Sequence, residues 1–341
     1  MSGHRPTRQV LDVGEHDDLP HAPSASPTWR ESLYFEVCDQ ALDLWCYQYV
    51  GERLNKDHAG LALAVRTGDG RQYGRLDHGP VDRDERAHRC AGLEIATVDP
   101  MRRHRVTFDG PVVGPHAASP GALRMPPSWM RPDGPGRGPV EPARLELAFE
   151  ATTPFYTFPT NLLLPFFAGH IQQMGVMRGT LRLGDEELAV EGPTFRDRSW
   201  GDRDWFGIDQ YLWIYAPFPD LALATTRIVA GDVREVVGWT WDGHRPADVV
   251  AWPDEQVTWD ATGGKPLPVD LAVEVRDDRS RRQELEITLL GAAPSVFEGR
   301  GPLAGKLAWI DRCPARIRRG DQEVLGVVES QQVVDRPEGW S

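Results

Sequence analysis

The chain has 341 residues, of which 40% are hydrophobic, and a formal net charge of -13 at pH 7. That length points to two domains, and the apolar fraction is too high for a disordered chain. The acidic balance argues against nucleic acid and anionic membrane surfaces as partners, because phosphate recognition needs basic patches.

Residues 1–28 are polar and read as an extended N-terminal arm. They lack the apolar core of a signal peptide, and no apolar run is long enough to span a bilayer. A cytoplasmic protein without a transmembrane segment is expected. Leu33 to Val37 reads as a strand, and Leu44 to Val50, rich in aromatics, as another with a hairpin partner at Leu61 to Arg66. Residues 77–89, with His78 and His88, form a charged stretch that reads as solvated. Strands follow at 91–98 and 103–108. Residues 111–142 hold nine prolines and read as a long loop, a candidate lid. Arg144 to Glu150 alternates as a half-buried strand, and Thr153 to Phe167 either covers a cavity or links domains.

The second half repeats the style. A hairpin at 176–191 precedes a charged stretch, then Tyr211 to Ala216 mirrors Leu44 to Tyr49 and Leu221 to Thr226 mirrors Leu61 to Arg66. Further strands are expected at 233–241, 249–252, 271–275, 285–289, 315–318 and 324–329. No long stretch has helical periodicity. With 34 glycines and 29 prolines punctuating short β-rich segments, the expected fold is all-β and mostly antiparallel, its edges hidden in barrels or sandwiches.

The most distinctive stretch is Gly192-Pro193-Thr194-Phe195-Arg196-Asp197-Arg198-Ser199-Trp200-Gly201-Asp202-Arg203-Asp204-Trp205. As a strand it puts Arg196, Arg198 and Trp200 on one face and Asp197 and Ser199 on the other. Two readings stand. Arg196, Asp197, Arg203 and Asp204 form an ion network that fixes a corner of the fold. Alternatively, Asp197 lies against Trp200 in an apolar barrel, its acidity raised or lowered by burial and arginine, and acts as an acid or a fixed anion. His170 is either structural or lines the same pocket. Trp45, Tyr47, Tyr49, Trp205, Tyr211, Trp213 and Tyr215 are either ordinary core or the wall of a ligand cavity.

Other chemistry is missing. There is no glycine-rich nucleotide loop, no G-x-S-x-G, no H-E-x-x-H among the ten histidines and no C-x-x-C among the four cysteines. No metal site and no cofactor are expected, and the cysteines read as free thiols.

The Gly192-to-Trp205 stretch resembles the G-x-G-x-R-D-H-S-W-G-x-R-D-W motif of tandem lipocalin-like proteins related to hydroxyneurosporene synthase, the carotenoid 1,2-hydratase. Pro27 to Ser32, Ala91 to Leu93, Val106 to Gly110, His170 to Gln173 and Gly326 to Glu329 fit as well, so the resemblance covers residues from about 17 to 335. The chain departs from the pattern at Arg198, where histidine is common, and at Thr194, where glycine is common. The resemblance implies two lipocalin-like (calycin) antiparallel β-barrels in tandem, an N-terminal one over 29–168 and a C-terminal one over 169–335 that carries the motif. It also implies chemistry on isoprenoid or other hydrophobic molecules. The resulting expectation is an enzyme acting on a terpenoid or steroid-like molecule by hydration, dehydration or cyclisation; the alternative is a non-catalytic carrier of a hydrophobic small molecule. Asp197, His170 and Arg198 are the expected catalytic residues, and Arg196, Trp200, Trp205, Tyr211, Trp213, Trp45 and Tyr47 the expected substrate contacts.

Overall fold

The computed structural model describes residues 13–117, 130–134, 138–158, 168–260 and 266–336. Strands dominate. The first twelve are β1 Trp29–Asp39, β2 Leu44–Arg53, β3 His58–Arg66, β4 Arg71–Gly79, β5 Asp82–Arg83, β6 Ala87–Cys90, β7 Leu93–Asp99, β8 Arg103–Ala117, β9 Val140–Ala151, β10 Tyr156–Thr157, β11 Gly169–Leu183 and β12 Glu186–Asp202. The remaining ten are β13 Gln210–Pro217, β14 Ala222–Ala230, β15 Val233–Trp241, β16 Pro246–Ala251, β17 Glu255–Asp260, β18 Leu267–Asp277, β19 Arg282–Leu289, β20 Ala293–Glu298, β21 Lys306–Arg319 and β22 Gln322–Asp335.

Each group closes on itself. In the first, β11-β12-β1-β2-β3-β4-β8 is completed by β9, which pairs with both β8 and β11. In the second, β16-β15-β14-β13-β22-β21-β19-β18 is completed by the pairing of β16 with β18. The fold is all-β: two lipocalin-like antiparallel barrels in tandem. Ring closure satisfies the backbone groups that an open edge would leave exposed.

Alternation along the strands fills both interiors. In the first barrel Leu33, Phe35 and Val37 of β1 meet Cys46, Val50, Leu63, Leu147 and Phe149. In the second, Leu212, Ile214, Val273, Ile287 and Ile317 do the same. A barrel of about eight strands is narrow enough for side chains to plug it.

Three expectations are corrected. The division at residue 168 cuts through the first barrel, because β11 and β12 belong to it, and the motif therefore lies on a strand of the first barrel. Strands 29–151 supply only β1–β4, β8 and β9 to the ring, and β11 and β12 are needed to close it. The N-terminal arm is not a free extension over its described part: the 3-10 turn Glu15–Asp18 delivers Asp18, fully buried, to the first barrel. The proline-rich loop begins later than expected, since β8 continues to Ala117, paired with β9 as far as Val113 and, across a register shift, with β4 to its end; residues 118–129 and 135–137 of the candidate lid, and 159–167 of the aromatic stretch, lie outside the described residues. All four cysteines are buried free thiols. No helix among the described residues is long and apolar enough to cross a membrane.

Candidate functional site

A third apolar core lies between the barrels. The same alternation that sends Leu33, Phe35 and Val37 inward turns Arg30, Ser32, Tyr34 and Glu36 outward. Neighbouring strands are in register with them: Tyr34 is opposite Tyr49 on one side and Asp197 on the other, and Ser32 is opposite Ser199. Gln172 pairs with Asp197, and His170 with Ser199. This outer face packs against the outer face of the second barrel, where Tyr211, Trp213 and Tyr215 of β13 stand beside Ile228 and Ala224. Trp213 lies edge-on to Tyr34, with ring centroids 6.2 Å apart, and 4.8 Å from Phe195. Trp239 Nε1 donates to Gln172 Oε1 across the junction at 3.2 Å.

The junction leaves a cavity of about 110 Å³ with both barrels in its lining. A water needs roughly 10–15 Å³ of such space, so several water-sized groups fit. On the wall from the first barrel, His170 Nε2 lies 3.4 Å from Asp197 Oδ2; the two side chains are 9% and 24% exposed. Phe158 stacks on the His170 ring at 4.8 Å. On the wall from the second barrel, Glu329 accepts from the Tyr211 hydroxyl and pairs with Arg312. The Arg312 guanidinium sits 4.5 Å from the ring centroids of both Tyr34 and Tyr47. Burial works against its charge, but the surrounding Tyr47, Tyr34 and Tyr211 hydroxyls and Glu36 hold its pKa above the usual value. Burial raises the pKa of the Tyr211 hydroxyl well above its usual value in spite of Arg312 and Arg203 and so keeps it protonated. Between the walls Arg203 donates to Ser199 Oγ and lies over the Trp205 ring at 5.2 Å.

The other face of the motif does different work. Leu33 pairs with Arg198 and Phe35 with Arg196, so both arginines point into the first barrel. Arg196 donates to Asp18 Oδ1 at 2.7 Å and Oδ2 at 3.1 Å and to Gln173 Oε1 at 2.7 Å. Arg198 pairs with Glu31 and donates to the Asp18 carbonyl at 3.2 Å. His104 Nε2 reaches Asp18 at 3.1 Å, and His88 Nδ1 reaches Glu52 at 3.0 Å. Burial alone would raise the Asp18 and Glu31 pKa values. The Arg196 charge nonetheless holds Asp18 far below the carboxylate range, and Arg198 brings Glu31 down to about 2. This is a paired, buried ion network at one end of the barrel, of the kind that destabilises strongly when one partner is removed.

The expected site residues therefore divide. Asp197, His170, Trp205, Tyr211, Trp213 and Tyr47 line the cavity. Arg196 and Arg198 do not: they face the barrel interior, on the opposite side of the sheet from Asp197, and do not line the cavity. Trp200 is on their face, stacked on His21 at 4.1 Å, so Asp197 is not held against it. Trp45 is buried beside the cavity and donates to Glu36 Oε2 at 3.1 Å. His88, expected in a solvated stretch, is 1% exposed inside the network. The cavity lies between the barrels and not inside one, because each interior is already filled. Reading the sequence alone offers Arg203 only for a corner ion network and misses Ser199, Tyr34, Arg312 and Glu329 as cavity residues. Alternation from Asp197 does point to Ser199, but the last two sit on β21 and β22, far along the chain and without a local signature.

The family described as "Domain of unknown function (DUF7064)" matches residues 14–334. No curated protein matches the sequence significantly. Among solved structures, a putative AttH from Nitrosomonas europaea is similar, with a TM-score of 0.60 at 13% identity over 95% of this chain and 97% of that one. CghA in complex with Sch210972 gives 0.60 at 14% identity over 92% and 90%. Kievitone hydratase from Nectria haematococca gives 0.57 at 10% identity over 96% and 93%. At these identities the likeness is one of fold, and it spans both barrels.

Proposed function

The chain belongs to the DUF7064 family, and from that premise we propose that it is an enzyme moving protons on a hydrophobic small molecule in a hydration, dehydration or cyclisation. The observation that carries this reading is the Asp197–His170 pair, 3.4 Å apart, on the wall of an aromatic cavity between two barrels. Imidazole and carboxylate are the side chains most used to give and take protons in catalysis. In the hydration direction, protonated His170 gives its proton to an alkene carbon. Asp197 takes a proton from the water whose oxygen bonds to the other carbon. The proton then passes from Asp197 to His170 across the gap between them, which restores the starting state. Tyr211, whose hydroxyl donates to Glu329, presents an acceptor oxygen on the opposite wall, and the aromatic rings favour developing positive charge.

The likeness in fold to a protein named as a hydratase supports this reading. The finer kinship with carotenoid 1,2-hydratases, and an isoprenoid, terpenoid or steroid-like substrate, belongs to the same proposal. Mass spectrometry of organic extracts of the purified protein, followed by turnover assays on the compounds found, tests it. An enzyme consumes its ligand and loses that ability with Asp197→Asn. A carrier releases the ligand unchanged and binds it equally well in the variant.

A further inference from the structure

Positive charge gathers beside the cavity, behind Tyr49 and Phe297 of its lining. Arg30 is 6% exposed and stands on the face of β1 that carries Ser32 and Tyr34. Its guanidinium lies 5.0 Å from the ring centroid of Phe297 and 5.7 Å from that of Tyr49, both of which line the cavity. Gly51 makes this possible, since a Cβ there would collide with both the Arg30 guanidinium and the Tyr49 hydroxyl. Arg30 donates one hydrogen bond, to Tyr49 Oη, whereas its buried Nε and Nη1 have no hydrogen-bond partner among the described residues.

More cations surround it. Burial and then the Arg30 charge push the Arg203 pKa down to about 10, and the same two causes lower that of Arg53. Two of the three carboxylates that line the cavity are engaged elsewhere: Asp197 with His170, and Glu329 with Arg312 and Tyr211. A buried guanidinium without a counter-charge is costly for the fold. It is retained at a binding site when the ligand supplies the anion, and its planar fork suits two parallel hydrogen bonds to a carboxylate.

We infer that the Arg30 end of the cavity is an anion subsite, and that the substrate is a hydrophobic molecule carrying a carboxylate. Arg30 grips that group, and Arg203 and Arg53 add to the field. This rests on the reading of the cavity as a substrate site, and the test separates the two. The probes are hydrophobic carboxylates graded in size from biphenyl-4-carboxylate to a steroid carboxylate, each paired with its neutral amide and followed by tryptophan emission. The acids are expected to bind at least about tenfold tighter than their amides. Arg30→Gln should erase that preference, leave amide affinity within about twofold, and keep or raise the ligand-free melting temperature, because an uncompensated cation is gone. Equal affinity for acids and amides, or an acid preference that survives Arg30→Gln, overturns the anion subsite and leaves the cavity as a substrate site. Failure of every acid and every amide to bind overturns both.

Discussion

His170 and Asp197 meet across the β11–β12 pairing with Nε2 3.4 Å from Oδ2, while Arg198, the next residue after Asp197, points into the barrel on the opposite side of the sheet. Asp197 is thus detached from the arginines that flank it in sequence. Its role can be separated from theirs by mutation.

Asp197→Asn and His170→Gln should both leave the fold intact, since neither belongs to the buried ion network. Turnover on an identified substrate should fall about 100-fold or more, the usual range for general acid–base groups. Melting temperature and turnover are compared in the same preparation. A variant that loses its melting transition together with its activity would return Asp197 to a structural role.

Asp18→Asn should behave in the opposite way. It weakens the ion pair with Arg196 and the contact with His104 in a fully buried setting. A loss of about 3–5 kcal/mol is expected, read from urea unfolding. Ligand affinity at pH 7, measured where the variant is still folded, should change little, because Asp18 does not line the cavity.

The same network makes the protein sensitive to acid. The folded pKa values of Asp18 and Glu31 are depressed below 3.8 and 4.5. Their stabilisation is therefore present above those values and lost as pH falls through the folded ones. Burial, joined by the Arg196 charge, depresses His104 from 6.5 to about 4, so it stays neutral in the fold while the unfolded chain takes up a proton. That contribution fades as pH drops from 6.5 towards 4. In a Glu36→Gln background, which removes the buried carboxyl that titrates with the opposite sign, melting temperature should thus decline below pH 6.5 and fall more steeply below about 4.5. A flat profile from pH 7 to 4 in that background would contradict this account.

Glu36 carries the opposite sign. Burial raises its pKa from 4.5 to about 7, against Tyr34, Arg312 and Trp45, which favour the charged form. The folded state therefore holds this proton more tightly, and its contribution is present below pH 4.5 and lost as pH rises through 7. Glu36→Gln, which mimics the protonated form, should stabilise the protein relative to wild type at pH 8, by a few kcal/mol at most. At pH 4 the difference should vanish. Equal effects at both pH values would show that Glu36 does not titrate in this window.

Sequence alone determined the all-β fold, the repeated aromatic hairpin and the alternation that puts Arg196 and Arg198 on one face and Asp197 on the other. These are local properties: a period of two depends only on strand geometry. Only the tertiary structure decided which face meets the cavity, because both faces of β12 are largely buried, one in the barrel and one between barrels. Ring closure decided that β11 and β12 join the first barrel, since a strand's partners are set by the whole sheet and not by its own residues. The partners that complete the network and the cavity come from far away in the chain, Asp18 from the N-terminal arm and Arg312 and Glu329 from the last hairpin. No pattern within β12 encodes them, because long-range pairing of charges is fixed only when the barrels close and dock.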